Sequence, residues 1–255
     1  MMNTPSPVHL ETPSTSHADY SIVYEPSEDS FYLIDALQGD AEFLRTRLSG
    51  GPPPLIVEVG VGSGVILAAI TAHGHELLGR RDFLTFGTDV NEYAGPISIH
   101  TIESHVNEHN GPNYNLLDVA NADLVTPFRD GLIDILFFNP PYVPSEEVPE
   151  VPENQWPVDG ETETDRKCRE LDLLAIATDG GNDGMEVTNR FLQELPRVLS
   201  QDRGVAYVLL SIRNKPDQVK QRIREWGNGW SAEKVFGAKA GWEILEIIRI
   251  WRTSQ

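Results

Sequence analysis

The sequence predicts an α/β fold in which a mostly parallel sheet carries helices on both of its faces. Two observations support this. Short apolar runs alternate with stretches of helical periodicity, and the last two runs are separated by a glycine-containing turn that is typical of an antiparallel pair. Sheets of this kind bind ligands beyond the carboxyl ends of their strands. The residues that follow each strand are therefore the candidates for a site.

The elements are predicted in chain order from their capping residues and periodicity. Ser27 is an N-cap with acidic residues behind it, which favours a helix over 27–37, and the glycines and prolines of 50–54 end this part of the chain. A helix over 185–199 places five apolar residues on one face. The other predicted helices cover 65–72, 97–106 and the segment around Val219, Ile223 and Trp226. The predicted strands are 55–59, 83–88, 114–117, 133–138, 205–210, 232–236 and 243–251.

The length of 255 residues fits one large domain with extensions. Residues 1–20 are rich in Ser, Thr and Pro and are predicted to be a disordered tail, followed by a single domain over 21–255. An acidic stretch at about 144–172 has little periodicity, and we interpret it as a solvated insertion rather than a lid.

The composition excludes several classes of protein. A formal net charge of -19 disfavours direct binding to nucleic acid, and a single cysteine, Cys168, excludes a disulfide framework within the chain. No apolar run is long enough to span a bilayer, and the first basic residue is Arg45, so no positively charged leader is expected. We expect a location in the cytoplasm or the nucleus. No metal site is predicted, because His105 and His109 share a helical face without an evident third ligand.

The first strand ends in Glu58 and a glycine run, Gly60-Val61-Gly62-Ser63-Gly64, and a helix follows. Closely spaced glycines let a ligand approach the main chain. The spacing is not that of a dinucleotide fold, and Glu58 would repel a phosphate but suit an amino group or a sulfonium. The structural alternative is an ordinary tight turn.

Acidic residues follow the next two strands. Asp89 ends the second strand, where an acid can bind both hydroxyls of a ribose, although it could also cap the next helix. Asp123 and Leu124 follow the third strand and would give an adenine pocket a polar edge and an apolar wall, unless Asp123 is simply a turn residue.

The fourth apolar run ends in Asn139-Pro140-Pro141-Tyr142. Two prolines end the strand sharply and fix the local backbone. The Asn139 side-chain oxygen and the Pro140 carbonyl can each accept one hydrogen of a planar N–H2 group, and Tyr142 offers an aromatic face. Taken with the earlier motifs, this predicts a site for S-adenosylmethionine beside an acceptor nitrogen.

Several motifs together resemble the HemK-type glutamine methyltransferases. They are the segment 23–30 (Val-Tyr-Glu-Pro-Ser-Glu-Asp-Ser), the glycine loop, Asp89, the Asn-Pro-Pro-Tyr tetrapeptide and a Gly-Gly-x-x-Gly segment within 177–184. The closest resemblance is to the eukaryotic and archaeal branch that acts on class 1 translation release factors. It implies a Rossmann-like class I methyltransferase fold with a seven-stranded sheet, and methylation of the glutamine amide in the factor's Gly-Gly-Gln loop.

The resemblance also implies roles for single residues. Ser30 and Glu58 with Gly60 and Gly62 would hold the methionine end of the cofactor. Asp89 would take the ribose, and Asp123 and Leu124 the adenine. Asn139 with the Pro140 carbonyl would hold the substrate amide next to the cofactor, and Tyr142 would pack on it. A small zinc-binding activator protein is the implied obligate partner.

Three other functions stay open on the residues alone. An adenine amino-methyltransferase acting on DNA or RNA shares the tetrapeptide. A non-catalytic adenosine-binding scaffold would share the pocket, and a nicotinamide dehydrogenase would share the fold but needs a different glycine spacing.

Overall fold

The structure, a computed structural model, describes residues 9–109 and 115–253. The strands are β1 Leu55–Val59, β2 Leu84–Asp89, β3 Leu116–Asn121, β4 Ile135–Phe138, β5 Val205–Ser211, β6 Trp230–Ala240 and β7 Glu243–Arg252. They form one sheet in the order β3-β2-β1-β4-β5-β7-β6. Strands β1 to β5 run parallel, and β7 is antiparallel to both β5 and β6. The α/β prediction is confirmed.

Helices cover both faces of this sheet. They are α1 Glu28–Gly39, α2 Ala41–Arg47, α3 Val65–Leu78, α4 Ala94–His109, α5 Glu163–Thr178, α6 Glu186–Val198 and α7 Pro216–Arg224. Helices α1 to α4 bury their apolar residues in one core cluster, and α6 and α7 bury theirs in a second cluster on the opposite face. Within the described ranges, no helix combines the length and the apolar character that crossing a membrane requires.

The periodicity of α6 explains its place in the fold. Phe191, Leu192 and Leu195 are buried in the second core cluster, while Glu194 and Arg197 pair with each other at the surface. The apolar stripe therefore faces the sheet and fixes the rotation of the helix.

The structure differs from the sequence prediction at two helices. Helix α2 buries only Ala41 and Leu44, which is too few to give a periodic pattern. Helix α5 begins inside the stretch that was predicted to be an aperiodic insertion. A capping box between Thr162 and Asp165 starts it, and the pair Lys167–Glu163, at 2.9 Å, supports its exposed face.

The structure also differs from the predicted tail. Residues 9–20 pack on the domain: Leu10 is buried with the helices of the first core cluster, and its N–H donates to Gln38 Oε1 at 2.7 Å. A single buried apolar residue in a polar segment gives no periodic pattern, so this packing could not be predicted from the sequence. Residues 1–8 of the predicted tail and Tyr114 of the predicted third strand lie outside the described residues.

Candidate active site

The strand order reverses between β1 and β4, and the predicted motifs lie at this point. The two strands pair side by side, with Val59 opposite Phe138. The glycine run therefore leaves the sheet next to Asn139, and Asp89 ends the neighbouring strand β2 on the other side of β1. This is where parallel α/β sheets open a crevice for a ligand.

A cavity of about 220 Å³ lies at this edge. It is lined by all ten residues that the sequence predicted for the site: Ser30, Glu58, Gly60, Gly62, Asp89, Asp123, Leu124, Asn139, Pro140 and Tyr142. Residues from four strand ends and from helix α1 thus converge on one space.

The glycine loop turns back against the end of β2. The N–H groups of Gly60 and Val61 both donate to the carbonyl of Thr88, at 2.8 and 3.1 Å. Gly64 has a φ of 82°, and a Cβ on it would lie 2.7 Å from the Cα of Ser98 in helix α4. Only glycine fits this close contact between the loop and α4.

Asp89 is held by main-chain donors. Its Oδ2 accepts from Gly62 N–H at 2.8 Å, and its Oδ1 accepts from Asn91 N–H at 2.9 Å. Burial raises the pKa of Asp89, and these backbone hydrogen bonds act against that shift. A carboxylate has about four lone-pair sites, so the group can accept ligand hydroxyls in addition to these main-chain donors.

Glu58 is buried at the end of β1, and its Oε2 has no hydrogen-bond partner among the described residues. Burial raises its pKa well above the ordinary value of 4.5, and the nearby Asp89 adds to the shift. A cationic ligand group in the cavity would stabilise the charged form of this carboxylate. The environment therefore suits a positively charged ligand and disfavours a phosphate.

Asn139 presents a second unpaired oxygen. Its Oδ1 is buried and accepts no hydrogen bond from the described residues. The side chain leaves the end of β4 just before Pro140 and Pro141, so the rigid turn fixes its position. An unpaired buried acceptor in a cavity wall is suited to a ligand that brings an N–H.

Tyr142 completes the turn and packs partly buried against the first core cluster. Its hydroxyl donates to Asp29 Oδ2 at 3.5 Å, and the backbone N–H of Ser30 donates to Asp29 Oδ1 at 2.7 Å. Burial and the Asp29 carboxylate raise the pKa of Tyr142, so the phenol stays protonated. Asp29, which was not predicted for the site, thus connects helix α1 to the tetrapeptide.

The glycine segment 180–184 packs directly against the main chain of the tetrapeptide. A Cβ on Gly184 would lie 2.0 Å from the carbonyl oxygen of Tyr142, and one on Gly180 would lie 2.3 Å from that of Pro141. Asn214 Nδ2 donates to the carbonyls of Tyr142 and Asp183, at 3.0 and 2.9 Å. The role of Asn214 was missed because it lies after β5, far along the chain from the motif.

Asp123 and Leu124 form the far end of the cavity. Leu124 is buried in a left-handed conformation, and its carbonyl accepts from Thr88 Oγ1 at 2.8 Å. Asp123 is about half exposed and pairs with Arg190 of helix α6. The strained Leu124 backbone, fixed by Thr88, directs an apolar side chain into the wall.

The segment 144–178, here called the cover, closes one side of the cavity. Val148, Val151, Leu173 and Ile176 of the cover line the cavity wall. The cover is fastened by Gln155, which is 3 % exposed. Its Oε1 accepts from Glu92 N–H and its Nε2 donates to Val90 O, both at 2.8 Å. The interpretation as a solvated insertion therefore fails for this part of the segment, because scattered apolar residues face the cavity.

No family model matches the chain. Two known methyltransferases are similar to it over most of its length. The chain is 33% identical over 251 residues to the eRF1 methyltransferase catalytic subunit mtq2 of Schizosaccharomyces pombe, covering 95% of this chain and 96% of that protein. It is 31% identical to the methyltransferase HEMK2 of Mus musculus, covering 89% and 88% of the two chains.

A solved structure is similar over its whole length. The E. cuniculi Mtq2-Trm112 complex, described as responsible for methylation of the eRF1 translation termination factor, contains a chain with 25% identity and a TM-score of 0.52. The match covers 91% of this chain and 99% of that one.

Proposed function

This chain belongs to the HemK-type family of protein glutamine methyltransferases, and on that basis we propose that it methylates the side-chain amide nitrogen of the glutamine in the Gly-Gly-Gln motif of a class 1 release factor. The observation that carries this proposal is the unpaired, buried Asn139 Oδ1 in a cavity wall, on a turn fixed by two prolines. A primary amide has two N–H hydrogens, and both need acceptors when it leaves water.

The methyl donor that we propose is S-adenosylmethionine, and the cavity residues fit its three parts. Asp89 has free lone pairs for the two ribose hydroxyls. The unpaired Glu58 Oε2 suits the cationic methionine end, next to Ser30 on α1 and to Gly60 and Gly62. Asp123 and Leu124 would contact the adenine. When bound, the cofactor supplies a methyl group that its sulfonium strongly activates.

The protein's contribution to the reaction is mainly alignment. An amide nitrogen is a weak nucleophile because its lone pair is delocalised into the carbonyl. Asn139 Oδ1 and the Pro140 carbonyl would fix the amide plane by accepting its two hydrogens, and Tyr142 would pack on the amide. The same two oxygens would stabilise the positive charge that develops on the nitrogen. This nitrogen becomes acidic as the methyl group arrives, so its proton can leave after transfer without a dedicated base.

We propose that the protein works as a heterodimer with a small zinc-binding activator. The position of β3 supports this, because β3 is the terminal strand of the sheet and carries Leu117, which is 54% exposed. A partner strand can cover such an edge. A partner would also reduce the self-repulsion that follows from a net charge of -19.

The direct test is transfer of labelled methyl from S-adenosylmethionine to a recombinant release factor by the heterodimer. We expect label on the wild-type factor and none on a factor whose motif glutamine is changed to asparagine. DNA and RNA oligonucleotides containing adenine serve as competing acceptors. Label on the oligonucleotides and not on the factor would replace this proposal with the amino-methyltransferase alternative.

Asn139→Ala separates acceptor binding from cofactor binding. We expect turnover to be nearly abolished, while the Kd of the cofactor changes by no more than a few-fold, because Asn139 faces the acceptor. Calorimetric titration of the cofactor and single-turnover methyl transfer measure the two effects. If cofactor affinity falls as steeply as turnover, the assigned role of Asn139 is wrong.

A further inference from the structure

Three histidines from helices α3 and α4 lie close together. His73 comes from α3, and His105 and His109 are one turn apart on α4. One ring nitrogen from each residue lies within 4.8 Å of those from the other two. The ring centroids are 4.4 Å apart for His105 and His109, and 5.0 and 5.4 Å apart for the pairs with His73. The i, i+4 pair of His105 and His109 is visible in the sequence, and the fold brings His73 of α3 next to it.

Two ring nitrogens of this cluster are buried and, among the described residues, unpaired. Nε2 of His73 and Nε2 of His105 are buried and have no hydrogen-bond partner among the described residues. His105 is 4% exposed and His73 is 8% exposed. Unpaired buried nitrogens are costly in a folded chain unless something binds them.

Two carboxylates complete the arrangement. Glu11 Oε2 lies 3.2 Å from His109 Nε2, so an oxygen donor stands next to the exposed side of the cluster. Glu76 Oε1 lies 3.7 Å from Nδ1 of His73, on the side of that ring away from the unpaired Nε2. A carboxylate that contacts the second nitrogen of a histidine orients the ring and strengthens it as a ligand.

We infer that His73, His105 and His109, with Glu11 as the fourth ligand, form a zinc site that is separate from the methyl-transfer site. Three imidazoles and one carboxylate are a donor set that Zn²⁺ accepts in tetrahedral geometry. Ligand nitrogens in such a site lie ~3.3 Å apart, so small ring rotations would bring the present cluster to binding distance. The only cysteine, Cys168, is exposed on α5 and takes no part.

The place of the site indicates a structural role. It joins the helix after the glycine loop to the helix after Asp89, and Glu11 brings in the segment that follows Leu10. Zinc would therefore fasten the N-terminal segment to α3 and α4, through residues that do not line the cofactor cavity. This inference does not depend on the identity of the methyl acceptor.

The test is the metal content of the purified heterodimer. The activator contributes the same zinc to every sample, so differences between variants report on this cluster. We expect wild type to hold one more zinc per heterodimer than His109→Ala, and Zn²⁺ affinity at the site to fall by at least about 100-fold in that variant. His100→Ala is the matched control, because His100 is an exposed histidine on the same helix; it should keep the wild-type content.

Two further measurements distinguish the loss of a zinc ligand from the misfolding of a variant. Glu11→Gln keeps all three histidines, and we expect it to weaken Zn²⁺ about tenfold while leaving the circular dichroism spectrum unchanged. Co²⁺ substitution should give visible d–d bands without the charge-transfer band of a thiolate. Equal metal content and equal Zn²⁺ affinity in wild type, His109→Ala and Glu11→Gln would overturn the inference.

Discussion

Glu58 and Asn139 each bury an oxygen atom that no described residue of the protein hydrogen-bonds. Such atoms destabilise a folded chain, typically by about 1–3 kcal/mol each, unless a ligand or water pairs with them. Both atoms lie at strand ends beside the same cavity. At the scale of single residues, the site is thus distinguished by two unpaired acceptor oxygens that border one cavity.

The main expected effect of Asp89→Ala is weaker cofactor binding, with a smaller effect on turnover. The charged carboxylate accepts two hydroxyls in our assignment, and losing such hydrogen bonds costs about 2 kcal/mol, or roughly 30-fold in Kd. Calorimetry on the heterodimer measures the change. Because Asp89 also holds the N–H groups of Gly62 and Asn91, the melting temperature without cofactor must be compared in parallel. Unchanged cofactor affinity would exclude the ribose assignment.

Cofactor affinity should depend on pH through Glu58. Its pKa is raised in the ligand-free protein, so the stability that protonated Glu58 contributes is fully present below 4.5 and is lost as pH rises through the raised value. A cationic ligand favours the ionised form, so binding releases a proton. We therefore expect cofactor affinity to increase with pH from the ordinary value up to the raised one, and to level off above it.

Calorimetry in buffers of different ionisation enthalpy, from about pH 5 to about pH 8, measures the released proton. Glu58→Gln should remove the dependence, and Glu103→Gln, an exposed glutamate on α4, should keep it. A pH profile of Glu58→Gln that matches wild type would show that another group carries the effect.

At the scale of elements, the sequence predicts those helices and strands that are marked by a local pattern of apolar residues. The strands and the helices α1, α3, α4, α6 and α7 follow from apolar runs and amphipathic periodicity. Most ends lie within a few residues of the prediction, but α3 continues to Leu78 instead of ending at residue 72, and β3 shares only residues 116 and 117 with the predicted strand 114–117. The predicted site residues share one cavity because the carboxyl ends of parallel strands meet at one edge.

The remaining features depend on contacts between distant segments. Asn214 supports Tyr142, Gln155 fastens the cover to Val90, and His73 joins the α4 histidines, each across a long stretch of chain. No local pattern marks such pairs. The apolar residues of the cover are scattered among acids and prolines, so composition alone suggested a solvated insertion.

Asn214→Ala tests the support of the tetrapeptide. Asn214 donates to Tyr142 O, and its own Oδ1 accepts from Ser211 N–H at 2.7 Å. The alanine variant leaves these buried groups unpaired, so we expect a loss of about 2 kcal/mol in unfolding free energy. We also expect kcat to fall at least about tenfold with little change in cofactor Kd, because the acceptor oxygens lose their alignment.

Asn189→Ala is the matched control for this variant, since the Asn189 side chain accepts a hydrogen bond from Arg222 at the surface and does not contact the tetrapeptide among the described hydrogen bonds. Denaturant unfolding and steady-state kinetics give both readouts. Equal kcat in Asn214→Ala and Asn189→Ala would mean that the turn holds its shape without Asn214.

At the scale of the whole molecule, the sheet has two edges, and they differ in what they expose. Strand β3 presents Leu117 at one edge, whereas β6 at the other edge belongs to a long hairpin with β7. The short, partly apolar β3 is the better template for a partner strand.

Leu117→Asp should therefore weaken the heterodimer without destabilising the chain itself. Burying a leucine contributes about 1.5–3 kcal/mol, and a charge placed in the interface removes at least that much, so we expect the Kd of the partner to rise more than about tenfold. Ile244→Asp is the control, because Ile244 is 48% exposed on β7, away from β3. Co-purification and calorimetry measure partner binding by the two variants. Equal loss of partner binding in both variants would contradict a β3 interface.

The fastening of the cover also has a spectroscopic consequence. Trp156 follows Gln155 directly; its ring centroid lies 4.2 Å from that of Tyr93, and its indole N–H donates to Glu92. Displacing Gln155 from Val90 would separate this indole, which is already 45% exposed, from the Tyr93 ring and the Glu92 carboxylate. The emission of Trp156, isolated by subtracting the spectrum of Trp156→Phe, would therefore report any displacement of the cover from Val90 and Glu92 with no added label.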